Sequence, residues 1–264
     1  MNNDIYWIWL SEIKNVGPKI GRKLLNKFNN AENIFKANYD ELISIDGIGE
    51  KTANLILDTK DGVMKKAEVI MKKCVSKGIK ILKINDSLYP KEVKDCADTP
   101  IIIYYLGNIR KESMGIGIVG SRRCTDYGKK VSKEIAQFLV QNNIPVISGM
   151  AKGIDGYAHT SCLNVGGYTI AVLGCGVDMA YPKEHKILME KIIETGAVIS
   201  QFPPGIKPNR LNFPKRNKLI AAFSRKLLVV EAGRNSALLG NFLNFSKAIR
   251  IARIHGPTAR VSDT

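Results

Sequence analysis

The stretch Ile116-Gly-Ile-Val-Gly-Ser-Arg-Arg-Cys-Thr-Asp126 decides the fold, because an apolar run ends in a glycine turn and a helical pattern follows. Similar units recur to the end of the chain. Apolar strands are predicted at Ile116–Val119, Ile144–Ser148, Tyr168–Leu173, Ala197–Ser200 and Leu227–Glu231. Helical patterns between them cover 126–142, 153–165, 183–195 and 214–223. Strands that alternate with helices form right-handed crossovers, so the pattern predicts an α/β, Rossmann-like fold with a mainly parallel sheet.

The part before this pattern has a different character. Residues 1–75 are predicted to form a small all-helical domain, and residues 76–264 the Rossmann-like domain. Two glycine turns, Asn15-Val-Gly-Pro-Lys-Ile-Gly21 and Asp46-Gly-Ile-Gly-Glu-Lys-Thr52, each lead into a helical pattern. They resemble the helix-hairpin-helix (SAM-like) motifs of DNA-binding proteins, whose turns can offer backbone N–H groups to a phosphate. The alternative is a packing module that keeps only the hairpin shape.

The charge balance points to a polyanionic partner. The 264 residues include 40 Lys and Arg against 24 Asp and Glu, a formal net charge of +16. Such a surplus favours nucleic acid, an anionic membrane surface or phosphorylated ligands. The five cysteines include no close CxxC pair, which argues against a disulfide framework or a zinc site. With no signal peptide and no apolar run long enough to span a bilayer, we expect a cytoplasmic protein without a membrane partner.

Three predicted strands end in glycine-rich turns. These are Ile118-Val-Gly-Ser-Arg-Arg123, Ser148-Gly-Met-Ala-Lys-Gly153 and Leu173-Gly-Cys-Gly176. Glycine lets a ligand approach the backbone, and a following helix N-terminus favours negative charge, so these turns predict a phosphate site. Residues 115–120 spell G-x-G-x-x-G, but no apolar strand precedes the first glycine, which argues against a dinucleotide site. Walker A is also absent, which argues against an ATP motor, and no cofactor is expected.

A fourth feature is a basic segment that contains an aromatic residue. Between Ile206 and Lys226 the sequence holds seven Lys and Arg and no acidic residue, with Phe213 among them just before a predicted helix. A ring for base stacking beside cations for phosphates is the composition of a single-strand-binding surface. The alternative makes Phe213 a buried anchor of its loop and the charges a solvated face.

Three titratable residues could do chemistry or hold structure. Asp155 and His159, four residues apart on one predicted helix, could act as an acid–base pair, but a helix cap and a satisfied histidine are the commoner roles. His159 and Cys162 lack further ligands at suitable spacing, so no metal site is predicted. Glu231 could be a catalytic acid or a hydrogen-bond acceptor that fixes a loop.

Six ordered segments resemble the DNA-processing protein A family, DprA/Smf. They are GSRRCTDYG (120–128), SGMAKGIDGYAH (148–159), AVLGCGVDMAYP (171–182), FPPG (202–205), NFPKRNKLIAAFS (212–224) and VVEAGRNSALL (229–239). The resemblance implies a binding protein, not an enzyme, which protects incoming single-stranded DNA in natural transformation and loads a RecA-type recombinase. It also implies a homodimer. By matching position, it implies a DNA-binding set of Gly120, Ser121, Arg122, Lys152, Gly153, Phe213, Arg216 and Asn217.

The sequence departs from the family pattern after Gly233. Ser236 runs directly into Ala-Leu-Leu239, and residues 241–264 show no apolar final strand, so we expect the sheet to lack its last strand. Two other function classes stay open. A nucleotide-processing enzyme of phosphoribohydrolase type is disfavoured because the sequence lacks a Pro-Gly-Gly-x-Gly-Thr-x-x-Glu stretch. A duplex-DNA repair factor would rest on the helix-hairpin-helix pair.

Overall fold

The N-terminal part of the chain is helical. The structure, a computed structural model, describes residues 3–231 and the backbone of residues 250–254. The first helices are α1 (Asp4–Glu12), α2 (Pro18–Phe28), α3 (Ala31–Lys36), α4 (Tyr39–Ile43), α5 (Glu50–Asp58) and α6 (Lys60–Ser76). Both predicted hairpins are present, since Gly17 directly precedes α2 and Gly49 directly precedes α5. Pro18 suits the first turn of α2 because the N–H it lacks would have no intrahelical partner there.

The rest of the described chain builds one sheet. Its strands are β1 (Lys80–Lys83), β2 (Ile102–Gly107), β3 (Gly115–Gly120), β4 (Val146–Ser148), β5 (Thr169–Val172), β6 (Ala197–Ser200), β7 (Ser224–Val230) and β8 (Arg250–Ile254). The order across the sheet is β1-β2-β6-β5-β4-β3-β7-β8. β2 runs antiparallel to both β1 and β6, and the other neighbours are parallel. The predicted mainly parallel, Rossmann-like architecture is confirmed.

Further helices connect the strands. They are α7 (Lys91–Asp95), α8 (Asp126–Gln141), α9 (Ile154–Asn164), α10 (Lys186–Thr195) and α11 (Asn212–Ala222), with a 3-10 turn at Lys183–His185 before α10. α9 contacts both α8 and α10, while α11 contacts β5 and β7. None of these or the earlier described helices has the length and apolar character that crossing a bilayer requires.

The helical part and the sheet share one apolar core. A continuous cluster of buried side chains runs from Trp7 and Trp9 in α1 through Tyr104 in β2 to Val229 in β7. α1 contacts both α6 and β2. α6 ends at Ser76 and β1 begins at Lys80. The domain boundary at residue 75 stays a prediction.

Two expectations from the sequence are wrong. The chain does hold a late strand, because β8 pairs in parallel with β7 from Lys226↔Arg250 to Val230↔Ile254. A strand at the sheet edge is held by backbone hydrogen bonds on one side, so it needs no long apolar run to form. Phe213 lies in the first turn of α11 rather than before the helix, since α11 begins at Asn212. The departure at 236–239 lies outside the described residues.

Candidate nucleic-acid interface

The three glycine-rich turns meet at one edge of the sheet. β3, β4 and β5 are parallel neighbours, so their carboxyl ends lie together. The turns that follow them line a cavity of about 230 Å³, called here the turn cavity. Arg122 comes from the first turn, Lys152 from the second and Gly174 from the third, while α11 adds Phe213 and Arg216. This is the crevice at the strand ends where ligands bind in open α/β sheets.

The first two turns fit tightly against each other. Gly153 has a φ of +78°, and a Cβ there would lie 2.2 Å from the Ser121 carbonyl oxygen. A Cβ on Gly120, at the end of β3, would lie 2.0 Å from the carbonyl oxygen of Val230. The Ser121 hydroxyl donates to the Arg123 carbonyl at 2.8 Å and so closes the first turn on itself. Gly153 and Ser121 therefore bring the first two turns together, and Gly120 packs the end of β3 against β7, but none of these three predicted residues lines the turn cavity.

Arg216 is buried beneath the turn cavity and joins two of its turns. Its Nη1 donates to the Gly149 carbonyl at 2.7 Å and to the Val172 carbonyl at 3.3 Å. The same nitrogen lies 3.9 Å from Oδ2 of Asp155, and both side chains are almost fully buried. Arg216 Nε has no partner among the described residues. A Cβ on Gly149 would lie 1.5 Å from Nη1, so the guanidinium fits only against glycine.

Asp155 forms part of this buried arrangement. Its Oδ2 accepts hydrogen bonds from the backbone N–H of Gly149 at 3.2 Å and of Ala151 at 3.4 Å. Burial raises the pKa of Asp155, and the positive charge of Arg216 and the N–H donors oppose that rise. Burial lowers the pKa of Arg216, which Asp155 opposes in turn. The carboxylate therefore braces the second turn.

Above Arg216, the ring of Phe213 is surrounded by cations and a second ring. The Arg122 Cζ lies 5.6 Å from the ring centroid and the Arg216 Cζ 5.7 Å. The Tyr181 ring centroid is 5.8 Å away, with the ring planes tilted by 32°. Phe213 is half-buried, whereas Arg122 and Tyr181 are exposed. The arrangement offers aromatic faces beside a guanidinium, as stacking platforms for bases do.

The remaining predicted cation and amide differ in exposure. Lys152 is exposed and pairs with Glu184 at 2.8 Å. Within the described ranges, by contrast, Arg122 is paired with no carboxylate. Asn217 is buried on α11 next to Arg216, away from solvent. Of the predicted set, Arg122, Lys152 and Phe213 thus present side chains to the turn cavity, and Arg216 lines it from below.

His159 makes no acid–base pair with Asp155. It is fully buried, and its Nδ1 lies 2.7 Å from the Thr169 hydroxyl. That hydroxyl donates to the Val146 carbonyl, so Nδ1 carries the proton and donates to it. Burial, with smaller contributions from the charges of His185 and Arg216, lowers the pKa of His159 to about 3. Its Nε2 has no partner in the described part of the chain. His159 is a neutral core residue.

Glu231 holds a loop, the second of its two predicted roles. One carboxylate oxygen accepts from the Thr125 N–H at 2.8 Å, and the other accepts from the Thr125 hydroxyl. Thr125 is the N-cap residue of α8, where its hydroxyl also accepts from the Gly128 N–H. Glu231 therefore fixes the end of the first turn. Within the described ranges, no three His, Cys, Asp or Glu side chains are grouped so as to hold a metal.

The third turn is anchored to the helical part. Asp178 accepts from Lys77, just after α6, at 2.5 Å and from the Gly205 N–H at 2.9 Å. Burial opposes ionisation of Asp178, but these donors outweigh it and leave its pKa lowered. Sequence reasoning missed Asp178, Tyr181 and Glu184. The sequence did contain a signal for Tyr181, because it is an aromatic residue in the loop that follows the third glycine turn.

Comparisons with known proteins match both the helical part and the sheet. The family described as DNA recombination-mediator protein A matches residues 80–250, and that described as SAM-like helix-hairpin-helix tandem matches residues 10–59. Protein Smf of Synechocystis is 38% identical over 239 residues, which cover 89% of this chain but only 60% of that protein. The chain thus spans less than two thirds of that relative.

Two solved structures are similar. The X-ray structure of DNA processing protein A from Streptococcus pneumoniae has a TM-score of 0.79 at 28% identity, covering 98% of this chain and 88% of that one. A structure of DNA processing protein A from Helicobacter pylori, described for its single-stranded DNA binding mode, has a TM-score of 0.57 at 27% identity. It covers 66% of this chain and 80% of that one. The family match to well over half of the residues and the shared fold place this chain in the DNA recombination-mediator protein A family.

Proposed function

We propose that this chain binds single-stranded DNA at the turn cavity. The observation that carries the proposal is the exposed Arg122, which no carboxylate neutralises in the described residues, beside the ring of Phe213. A guanidinium and the N–H groups of a turn can hold one phosphate, while the aromatic rings accept an unpaired base. A base within a duplex is already stacked on both sides, so this arrangement favours single strands.

The wider role rests on family membership. We propose a recombination mediator that protects incoming DNA in natural transformation and loads a RecA-type recombinase, acting as a homodimer in the cytoplasm. The +16 net charge supports a polyanionic partner. The similarity to a protein described for single-stranded DNA binding supports the choice of strand.

We propose binding rather than catalysis as the mode of action. The three residues that could have done acid–base work are each engaged elsewhere. Asp155 accepts from two backbone N–H groups, His159 is buried against Thr169, and Glu231 accepts from Thr125. Their engagement supports a site that recognises DNA without breaking a bond.

The test is a titration of labelled oligo-dT at several salt concentrations, with unlabelled duplex as competitor. Arg122→Ala should weaken binding and make the slope of log K against log[salt] shallower by about 0.7, the value for one single-strand phosphate. The matched control is Arg123→Ala, the neighbouring exposed cation that does not line the cavity. Equal effects of the two variants would contradict a phosphate site at Arg122.

A second pair of variants tests stacking. Phe213→Ala should cost roughly 1–3 kcal/mol of binding free energy without changing the salt slope, and Phe213→Trp should retain most affinity. Each variant is also melted, because a buried anchor would lose stability instead. Unchanged affinity of Phe213→Ala would contradict the stacking role. Preference for duplex over oligo-dT would favour a repair factor that uses the helix-hairpin-helix pair.

A further inference from the structure

A large groove continues from the turn cavity past Tyr181. It has a volume of about 1080 Å³ and lies between α10 and the loops after β5 and β6. Lys152, Tyr181 and Pro182 line both the groove and the turn cavity. The two are therefore one continuous depression, divided by the exposed ring of Tyr181. We call the larger part the α10 groove.

The floor of the α10 groove is apolar. Leu106, Val177, Met189 and Ile193 line it, and the first comes from β2 while the last two come from α10. All four floor residues are uncharged, so none of them can attract a phosphate. A surface of this kind accepts flat, weakly hydrated groups such as nucleobases.

Cations stand at the rim of the groove. Lys183 and Lys207 are exposed, and neither forms an ion pair with a described residue. The other two rim lysines are partly neutralised: Lys152 pairs with Glu184 at 2.8 Å, and Lys186 lies 3.9 Å from Glu190. Two uncompensated charges thus flank an apolar floor.

The third acidic residue of the groove, Asp178, is already hydrogen-bonded within the protein. The Asp178 carboxylate accepts from Lys77 and from the Gly205 N–H, so its charge is compensated within the protein. With Glu184 and Glu190 facing lysines, the charge left uncompensated at the rim is positive. An anionic chain with apolar planar groups complements this surface better than an acidic or a purely apolar peptide does.

We propose that a bound single strand crosses Tyr181 from the turn cavity into the α10 groove, with a base stacked on Tyr181 and successive phosphates beside Lys183 and Lys207. This inference rests on the proposed function. The turn cavity, at about 230 Å³, holds only a small part of a DNA strand. The rest of the bound DNA therefore has to continue outside this cavity. The α10 groove shares Lys152, Tyr181 and Pro182 with the turn cavity and so offers the strand a continuous path.

The test uses oligo-dT of 20 nucleotides and salt titration. The double variant Lys183→Gln/Lys207→Gln should make the slope of log K against log[salt] shallower by about 1.4, from roughly 0.7 for each phosphate contact. The matched control is Lys133→Gln/Lys191→Gln, which removes the same charge from exposed positions outside the groove. Indistinguishable slopes for the two double variants would overturn the inference.

Tyr181 gives an independent measurement. Tyr181→Ala should weaken binding of the same oligonucleotide roughly 5- to 150-fold with the salt slope unchanged, and Tyr181→Phe should bind like the wild type. Unchanged affinity of Tyr181→Ala would overturn the path across this ring. Arg122→Ala separates DNA binding at the turn cavity from DNA binding along the α10 groove. If it lowers the slope while the groove variants match their controls, the turn cavity binds DNA and the groove does not. If the wild type fails to bind oligo-dT, the proposed function falls as well.

Discussion

Replacing Arg216 by methionine should destabilise the protein because it removes one member of a buried ion pair. The variant keeps an apolar side chain of similar length but loses the donors to the Gly149 and Val172 carbonyls. It also leaves Asp155 as a buried carboxylate without a counter-charge. Breaking such a pair costs 3–5 kcal/mol, and the 3.9 Å separation places this one near the lower end, at about 3 kcal/mol. For a chain of this size that corresponds to a loss of roughly 6–12 °C in Tm.

The loss should depend on pH in a defined direction. Burial already raises the pKa of Asp155 in the folded state, and removal of Arg216 raises it further. Between the unfolded pKa near 3.8 and the folded pKa, the folded state then binds more protons than the unfolded state. Its free energy of unfolding falls as pH rises through that window. The deficit of Arg216→Met relative to wild type should therefore be large at pH 7 and smaller near pH 4.

The assay is urea denaturation at a series of pH values. Lys215→Met serves as the control, since Lys215 is the neighbouring exposed cation on α11. Adding Asp155→Asn to Arg216→Met should recover part of the loss and remove its pH dependence, because a neutral amide oxygen still accepts from the N–H groups of the second turn. A loss below about 1 kcal/mol at pH 7, or a deficit that is the same at every pH, would refute the reasoning.

Three further changes test the described geometry. Because the folded pKa of His159 is about 3, wild-type stability should fall by roughly 1.6 kcal/mol from pH 6.5 to 5, and His159→Gln should lack this loss; parallel curves would contradict it. Gly153→Ala should lower the free energy of unfolding by more than Gly166→Ala, because both have positive φ but only the first brings a Cβ near the Ser121 carbonyl; equal Tm losses would show that the contact relaxes. Glu231→Gln should lower Tm because it weakens the loop before α8, and any loss of oligo-dT affinity should accompany that loss of stability; lost affinity without lost stability would give Glu231 a direct role in the site.

The meeting of the three glycine turns could be predicted because it follows from topology. Parallel strands joined by helices bring their carboxyl ends to one edge, whatever the side chains are. The strand patterns alone placed Arg122, Lys152 and Gly174 on these ends. Their convergence in one cavity then needed only the neighbour relation of β3, β4 and β5.

Composition could not show that Lys215 and Arg216, which are neighbouring cations on α11, differ in burial. Each residue advances about 100° around a helix, so adjacent cations face different sides. Lys215 is exposed, whereas Arg216 and Asn217 are buried against the turns. A count of seven cations treats them as one surface. The separation depends on which side of the helix meets the sheet, which is a property of tertiary packing.

Because the helical part and the sheet share one apolar core, that core stays incomplete while the protein is being synthesised. The apolar side of α1, with Trp7 and Trp9, belongs to the same buried cluster as Tyr104 of β2. Ribosomes add roughly 5–20 residues per second, so these tryptophans leave the ribosome about 5–20 s before their partner strand. During that interval α3 and α6 can already cover part of α1, but the side of α1 that meets β2 stays exposed. That side of α1 is therefore open to chaperones and to misassociation until β2 has been synthesised.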